Sequence, residues 1–136
     1  MRIAVLSVPA VRTGIPEYVK SLAKGMESMG HRVDIVDAWT EDGFRLPGYE
    51  YIAVCAEAVS AWGGKMPDAL AKTLSSGSGL IGKKSAAFLK KKGPLFINKA
   101  LSNLMGTMEK EGMMVNWSEI LLNPPQAEAL GKRIGA

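Results

Sequence analysis

The sequence has very few residues that form disulfides or bind soft metal ions. Its 136 residues include one cysteine, Cys55, and one histidine, His31. A single cysteine excludes an internal disulfide, and these two residues alone are too few for a zinc site. Because stable disulfides belong to oxidising compartments, we expect a protein of the reducing cytoplasm.

Long apolar runs are also missing. No segment approaches the ~20 consecutive apolar residues that a membrane-spanning helix needs. The first residues, Met1-Arg2-Ile3, lead directly into a short strand-like run and lack the features of a signal peptide. We therefore expect a soluble cytoplasmic protein without a membrane partner.

Aromatic residues are sparse, at 7% of the chain, and they do not interleave with the basic residues. The net charge of +4 mildly favours anionic ligands or acidic partners. The lysines are nevertheless scattered, except at 83–84 and 90–92. This pattern is typical of a solvated basic surface and does not predict a nucleic-acid partner.

Apolar residues are plentiful, at 47%, and the length suits one domain spanning 1–136. Strand-like runs alternate with segments of helical periodicity in the order β-α-β-β-α-β-α-β-α. Parallel strands need crossover helices, and nearly every pair of strands here has one between them. The pattern predicts a parallel sheet covered on both faces, with strands at 2–8, 32–37, 51–56, 84–89 and within 113–122.

The loop at 9–15 is the first candidate site. It follows the first strand, and Pro16 suits the first position of the helix that comes next. The first N–H groups of a helix lack internal partners, and the helix dipole adds partial positive charge there. A strand that turns through Thr13 and Gly14 into a helix therefore predicts an anion pocket.

Three other residues are expected to have structural rather than functional roles. Cys55 ends a buried strand-like run, so we expect a core residue rather than a nucleophile. His31 follows Gly30 in a turn, and we expect it to face solvent. Asp37 ends the second strand, where a turn-forming role is typical of aspartate.

Several features together resemble the flavodoxin family. Arg12-Thr13-Gly14 lies between the first strand and the first helix, and Trp62-Gly63-Gly64 follows the strand at 51–56. The element order and the length match a five-stranded sheet of order 2-1-3-4-5. The resemblance covers nearly the whole chain and implies an α/β three-layer sandwich.

The resemblance also implies a binding site for FMN. The first loop of the family holds the FMN phosphate, which places four residues of this chain there: Arg12, Thr13, Gly14 and Ile15. The next loop would lie against the flavin ring through Trp62, Gly63 and Gly64. The loop that begins at Lys90 would lie at the other side of the ring.

Two positions depart from the family pattern Ser/Thr-x-Thr-Gly-x-Thr. Val11 and Pro16 replace the hydroxyl residues that bracket Thr13 and Gly14, and proline also lacks a backbone N–H. Each lost hydrogen bond to a charged oxygen costs roughly 1.5–3 kcal/mol. The lysines at 90–92 would also raise the reduction potential of a nearby flavin, which argues against a low-potential electron shuttle.

Two functions stay open. The first is an FMN-binding protein in electron transfer or flavin/quinone reduction, with a redox partner protein or a small-molecule acceptor. If it is an enzyme, it would be an FMN-dependent oxidoreductase, and small flavoproteins of this fold often form homodimers. The second is a flavodoxin-fold domain that has lost flavin and serves as an interaction module. No catalytic acid, base or nucleophile is identified.

Overall fold

The computed structural model describes residues 1–60, 63–91, 93 and 96–134. The elements follow the predicted order, and a short 3-10 turn at Leu46–Gly48 precedes the third strand. They are β1 (Arg2–Val8), α1 (Glu17–Ser28), β2 (Arg32–Asp37), β3 (Tyr51–Ala56), α2 (Asp68–Ser76), β4 (Lys84–Lys90), α3 (Ile97–Lys110), β5 (Met114–Leu121) and α4 (Pro124–Gly131).

The strands form one parallel sheet of order β2-β1-β3-β4-β5, as predicted. β3 is buried along its whole length and β1 from Ile3 onward, because these two strands lie inside the sheet. β2 has one buried residue, Val36, and its other residues are exposed or half-buried, as suits an edge strand. The continuous apolar runs in the sequence therefore mark the central strands.

Helices cover both faces of the sheet, which confirms the three-layer sandwich. Ile3 and Val5 of β1 pack with Leu22 and Met26 of α1, and residues of α4 join the same cluster. Alternate residues of the same strands point to the other face. There they pack against α2 and α3 through side chains such as Leu6, Ile52, Leu70 and Leu104.

Element boundaries differ from the sequence prediction by one residue in two places. Pro16 lies just before α1 rather than at its first position, because its ψ of 154° is extended. β4 continues through Lys90, one residue beyond the apolar run, since Lys90 still pairs with Leu121. Both differences fall beside the loops that form the candidate site.

The prediction that His31 faces solvent was wrong. Its ring is half-buried, and Nε2 lies 2.9 Å from the carbonyl oxygen of Ile134. α1 packs against α4, so the turn after α1 meets the segment that follows α4. His31 therefore joins two parts of the chain that are distant in sequence.

Candidate functional site

The loop between β1 and α1 lies at the carboxyl end of a central strand. Val11 through Gly14 are exposed, and Ile15 is half-buried. Gly14 has a φ of +82°, a left-handed conformation that favours glycine, and no other described residue beyond its chain neighbours lies within 4 Å of where its Cβ would stand. The loop is thus turned outward and open at Gly14.

Backbone N–H groups line this loop without acceptors. Among the described residues, none accepts a hydrogen bond from the N–H groups of residues 11–15, nor from those of Glu17 and Tyr18 at the start of α1. No side chain in the described ranges caps α1. A row of free donors at the positive end of a helix dipole is the arrangement that binds a phosphate.

Glu57, directly after β3, holds the base of the loop in place. Its half-buried carboxylate accepts hydrogen bonds from the Ala10 N–H at 3.2 Å and from the Tyr18 hydroxyl at 2.7 Å. Burial raises the pKa of Tyr18 well above its ordinary range, and the hydrogen bond to Glu57 raises it further. Glu57 was not predicted from the sequence, although an acidic residue immediately after a buried strand was the available signal.

Lys90 lies on the α1 side of the site. Its Nζ is 5.7 Å from the ring centroid of Tyr18 and donates a hydrogen bond of 3.3 Å to the carbonyl oxygen of Lys91. The sequence placed Lys90 beside a flavin ring, which stays a prediction. The observed contact brings its amine toward the first turn of α1.

The charges around the loop are of both signs. Arg12 is exposed and forms no ion pair with any described residue, so its guanidinium is available to a ligand. Glu17 stands in the first turn of α1 and pairs with Lys20 at 3.5 Å, both side chains being largely exposed. The carboxylates of Glu17 and Glu57 therefore oppose an anion that Arg12 and Lys90 attract.

The second predicted loop contains two glycines in left-handed conformations, Gly63 and Gly64. A Cβ on Gly64 would lie 2.8 Å from the Ala100 nitrogen, and the Gly64 carbonyl accepts a 2.9 Å hydrogen bond from the Asn103 side chain. Gly64 is thus required for packing against α3, whereas no described residue beyond the chain neighbours of Gly63 lies within 4 Å of where its Cβ would stand. Trp62 lies outside the described residues.

The residues at the end of β2 lie at the same edge of the sheet and contact the loop after β1. Asp37 accepts a hydrogen bond from the Trp39 N–H at 2.9 Å, which confirms its turn-forming role. The indole of Trp39 donates to the carbonyl oxygen of Pro9 at 2.8 Å, so it fixes the first residue of the loop. Beneath the loop, the hydroxyl of Ser7 is buried without a hydrogen-bond partner among the described residues.

Cys55 is fully buried, and burial raises the pKa of its thiol above the ordinary value. This burial confirms that Cys55 is a core residue. The described residues include no group of three or more histidine, cysteine, aspartate or glutamate side chains placed to hold a metal ion. None of the helices in the described ranges is long and apolar enough to cross a bilayer.

Comparison with solved structures identifies the architecture. Oxidised flavodoxin 1 from Bacillus cereus superposes with a TM-score of 0.71 at 17% identity, covering 96% of this chain and 95% of that one. This chain has the flavodoxin fold. A mutant flavodoxin from Pseudomonas aeruginosa gives a TM-score of 0.75 at 14% identity, covering 98% of this chain and 96% of the other.

Two-electron reduced flavodoxin from Megasphaera elsdenii gives a TM-score of 0.65 at 16% identity, with 96% of each chain covered. At these identities the likeness establishes the fold. No protein-family model matches the sequence, and no curated protein matches it significantly.

Proposed function

We propose that this protein binds FMN and carries electrons between it and a redox partner protein or a small-molecule acceptor. The observation that carries the proposal is the row of free N–H groups at residues 11–15 and at the start of α1. They lie in the loop where, by family resemblance, flavodoxins hold the phosphate of FMN. Bound FMN would supply the redox chemistry, and the chain supplies the pocket and its electric field.

The residues fit the phosphate mainly through their backbone, and the side chains of Thr13 and Arg12 can add to these contacts. Val11 and Pro16 offer no hydroxyl, but Thr13 and Gly14 are exposed with free N–H groups, and the hydroxyl of Thr13 has no partner among the described residues. Arg12 can add a charged bidentate contact. By family resemblance, Trp62, Gly63 and Gly64 would flank the flavin ring.

The charge around the carboxyl edge bears on the reduction potential. Lys90 and Lys91 stand at the end of β4, in the loop that the family resemblance places beside the ring. Positive charge favours the reduced cofactor, because reduction adds negative charge. We therefore expect a higher potential than in a flavodoxin with acidic residues around its flavin.

Titration with FMN tests this proposal. The purified protein should quench the fluorescence of added FMN with a stoichiometry of one FMN per chain, and the complex should be yellow. Riboflavin, which lacks the phosphate, should bind more weakly. Thr13→Ala should lower the affinity for FMN by about tenfold to a hundredfold, since it removes one hydrogen bond to a charged oxygen. Thr40→Ala, at an exposed position beyond β2, is the matched control and should leave the affinity unchanged. Absence of FMN binding by the folded protein would refute the proposal.

A second candidate, an interaction module without flavin, is favoured by the same loop. The N–H of Ala10 already donates a hydrogen bond to Glu57, and Pro16 has no N–H to donate. The apolar side chain of Val11 is 61% exposed at the position where the family pattern has a hydroxyl that would face the phosphate. This candidate predicts a folded protein that leaves FMN fluorescence unchanged at high concentration. The titration therefore separates the two functions.

A further inference from the structure

Three neighbouring loops at the carboxyl edge of the sheet each expose an apolar side chain. Val59 follows β3, Phe96 lies between β4 and α3, and Leu122 follows β5. Their exposed fractions are 44%, 43% and 50%. Because β3, β4 and β5 are adjacent in the sheet, these loops are neighbours, and together they are called the β3–β5 edge below. Apolar side chains exposed side by side are typical of an interaction surface.

Backbone contacts hold the loops after β3 and β4 against each other. The N–H of Val59 donates a hydrogen bond of 2.7 Å to the carbonyl oxygen of Lys65. Gly64 lies directly against Ala100 in the first turn of α3, and the N–H of Ala100 donates to the carbonyl oxygen of Phe96 at 2.9 Å. The surface is thus largely formed before a partner arrives, which lowers the entropic cost of binding.

Phe96 has an unusual backbone conformation. Its φ is +62°, and among the described residues it is the only one other than glycine with a positive φ. This left-handed conformation costs a residue with a side chain free energy, and such residues cluster at binding sites. The conformation of Phe96 therefore agrees with a functional role for the loop after β4.

Lysines accompany the apolar side chains. The N–H of Lys91 donates to the carbonyl oxygen of Leu121 at 2.9 Å, which brings Lys91 to the end of β5 beside Leu122. Lys65 is bonded to Val59 as described, and Lys99 lies in the first turn of α3. All three lysines are exposed, and none forms an ion pair with a described residue. Their charges are available to a partner.

Nearby carboxylates do not cancel this charge. Glu57 is half-buried and already accepts two hydrogen bonds, so Asp68 at the start of α2 is the exposed carboxylate next to the three lysines. The loop after β1 and the first turn of α1 carry one exposed charge of each sign, Arg12 and Glu17. The β3–β5 edge is therefore basic overall.

We propose that the β3–β5 edge is a docking surface for an acidic protein whose carboxylates surround exposed apolar side chains. Carboxylates would pair with the lysines, and the apolar side chains would be buried between them. As the contact through which electrons pass, this surface rests on the proposed function. Docking itself needs no flavin and can be measured without it.

An acidic protein fits this edge better than a nucleic acid or a membrane does. Strong, salt-dependent binding of nucleic acid uses about 6–10 phosphate contacts, whereas the described part of this edge offers three exposed lysines. Proteins that lie on membranes commonly present one amphipathic helix with a continuous apolar face. Here the apolar side chains come singly from separate loops.

Peptide titrations of the full chain without flavin, followed by amide NMR, test the proposal. The probe is a soluble peptide in which glutamate alternates with leucine. One control peptide has lysine in place of each glutamate, and the other has serine in place of each leucine. We expect the glutamate–leucine peptide to bind at least about tenfold more tightly than either control. It should shift the amide signals of the β3–β5 edge, and added salt should weaken its binding.

Two pairs of variants separate this edge from the rest of the surface. Lys91→Glu should weaken binding of the glutamate–leucine peptide by about three- to tenfold. Lys84→Glu makes the same change of charge at the opposite end of β4 and should alter binding by less than about twofold. Leu122→Ser should also weaken binding by about three- to tenfold. Met114→Ser, at the exposed opposite end of β5, should leave it unchanged. Circular dichroism checks that each variant is folded.

Several results would overturn the assignment. Absence of binding by the glutamate–leucine peptide refutes the docking surface, and so does an equal effect of Lys84→Glu and Lys91→Glu, since the peptide then responds only to net charge. Tighter binding of single-stranded DNA or of phosphatidylserine vesicles at the same amides replaces the acidic protein with that ligand. A chain that passes these tests but does not bind FMN loses the proposed function and keeps the docking surface.

Discussion

Glu57 shows how one carboxylate organises the candidate site. It joins Tyr18 and Ala10, which lie 39 and 47 residues away in sequence. A pattern read along the chain detects contacts within a helix or a strand but not between loops of different strands. The sequence predicted the phosphate loop from local chemistry, and it missed Glu57 because the role of Glu57 arises only when β1 and β3 are neighbours.

The hydrogen bond from Tyr18 to Glu57 should contribute measurably to stability. Tyr18 is 6% exposed, and Tyr18→Phe leaves the carboxylate with one partner fewer in a half-buried position. We expect the free energy of unfolding in urea to fall by about 1–2 kcal/mol.

The matched control is Tyr49→Phe. Tyr49 donates to Asp34 at the same 2.7 Å distance, but Asp34 is exposed and water can replace the lost donor. Its expected cost is below about 1 kcal/mol. Equal losses in the two variants would contradict a special role for Glu57.

The packing of α1 against α4 depends on two glycines. A Cβ on Gly25 would lie 2.1 Å from the Glu128 carbonyl oxygen, and a Cβ on Gly131 would lie 2.2 Å from the Leu22 carbonyl oxygen. The two helix backbones therefore meet directly. Both contacts involve backbone atoms, which cannot move aside as a flexible side chain can.

Gly25→Ala should accordingly destabilise the protein by about 2–3 kcal/mol, because the helices must separate to admit one methyl group. Gly106→Ala is the control, since Gly106 lies in α3 and no atom from another part of the described chain lies within 4 Å of its Cβ position. That change should stabilise the protein by about 0.5–1 kcal/mol through helix propensity alone. Urea denaturation measures both, and a neutral Gly25→Ala would contradict the close approach of the helices.

Periodicity and turn residues were sufficient to predict the helices and strands. The apolar runs of β1 and β3 gave their bounds correctly, since central strands of a parallel sheet are buried on both faces. Gly112 follows the end of α3 in a left-handed conformation with a φ of +84°, as a glycine after a helix commonly does. The requirement for glycine at Gly25 could not be predicted, because it comes from a helix that is distant in sequence.

At the scale of the molecule, the alternation of elements predicted a parallel sheet and the family resemblance predicted its strand order. The side-chain contacts at the carboxyl edge of the sheet could not be predicted. The sequence correctly grouped the loops after β1, β3 and β4 at one edge. It contained no information on the side of Tyr18 from which Lys90 approaches, or on the packing of Gly64 against α3. These contacts depend on tertiary distances of a few ångströms.

Alkaline pH should weaken the whole fold. Burial raises the pKa of Cys55 above 9.0 and that of Tyr51 from 10.0 to about 12, and the pKa of Tyr18 is also raised. Above about pH 9 the unfolded chain loses these protons while the folded chain keeps them, so stability falls as pH rises.

Each such group contributes at most about 1.4 kcal/mol per pH unit. The urea midpoint should therefore be lower at about pH 10.5 than at neutral pH. Cys55→Ala should show a shallower fall, because it removes the group that ionises first on unfolding. A stability that stays constant through this range would argue against burial of these groups.

We propose that the backbone amides at the head of α1 hold the phosphate of FMN. The sharpest test is to record amide NMR spectra of the ¹⁵N-labelled protein with FMN and riboflavin added in turn to saturation. We expect the amide signals of residues 12–15, 17 and 18 to shift strongly with FMN and much less with riboflavin, since only FMN carries the phosphate. If FMN binds while these amide signals do not move, or move equally with riboflavin, these amides do not hold the phosphate.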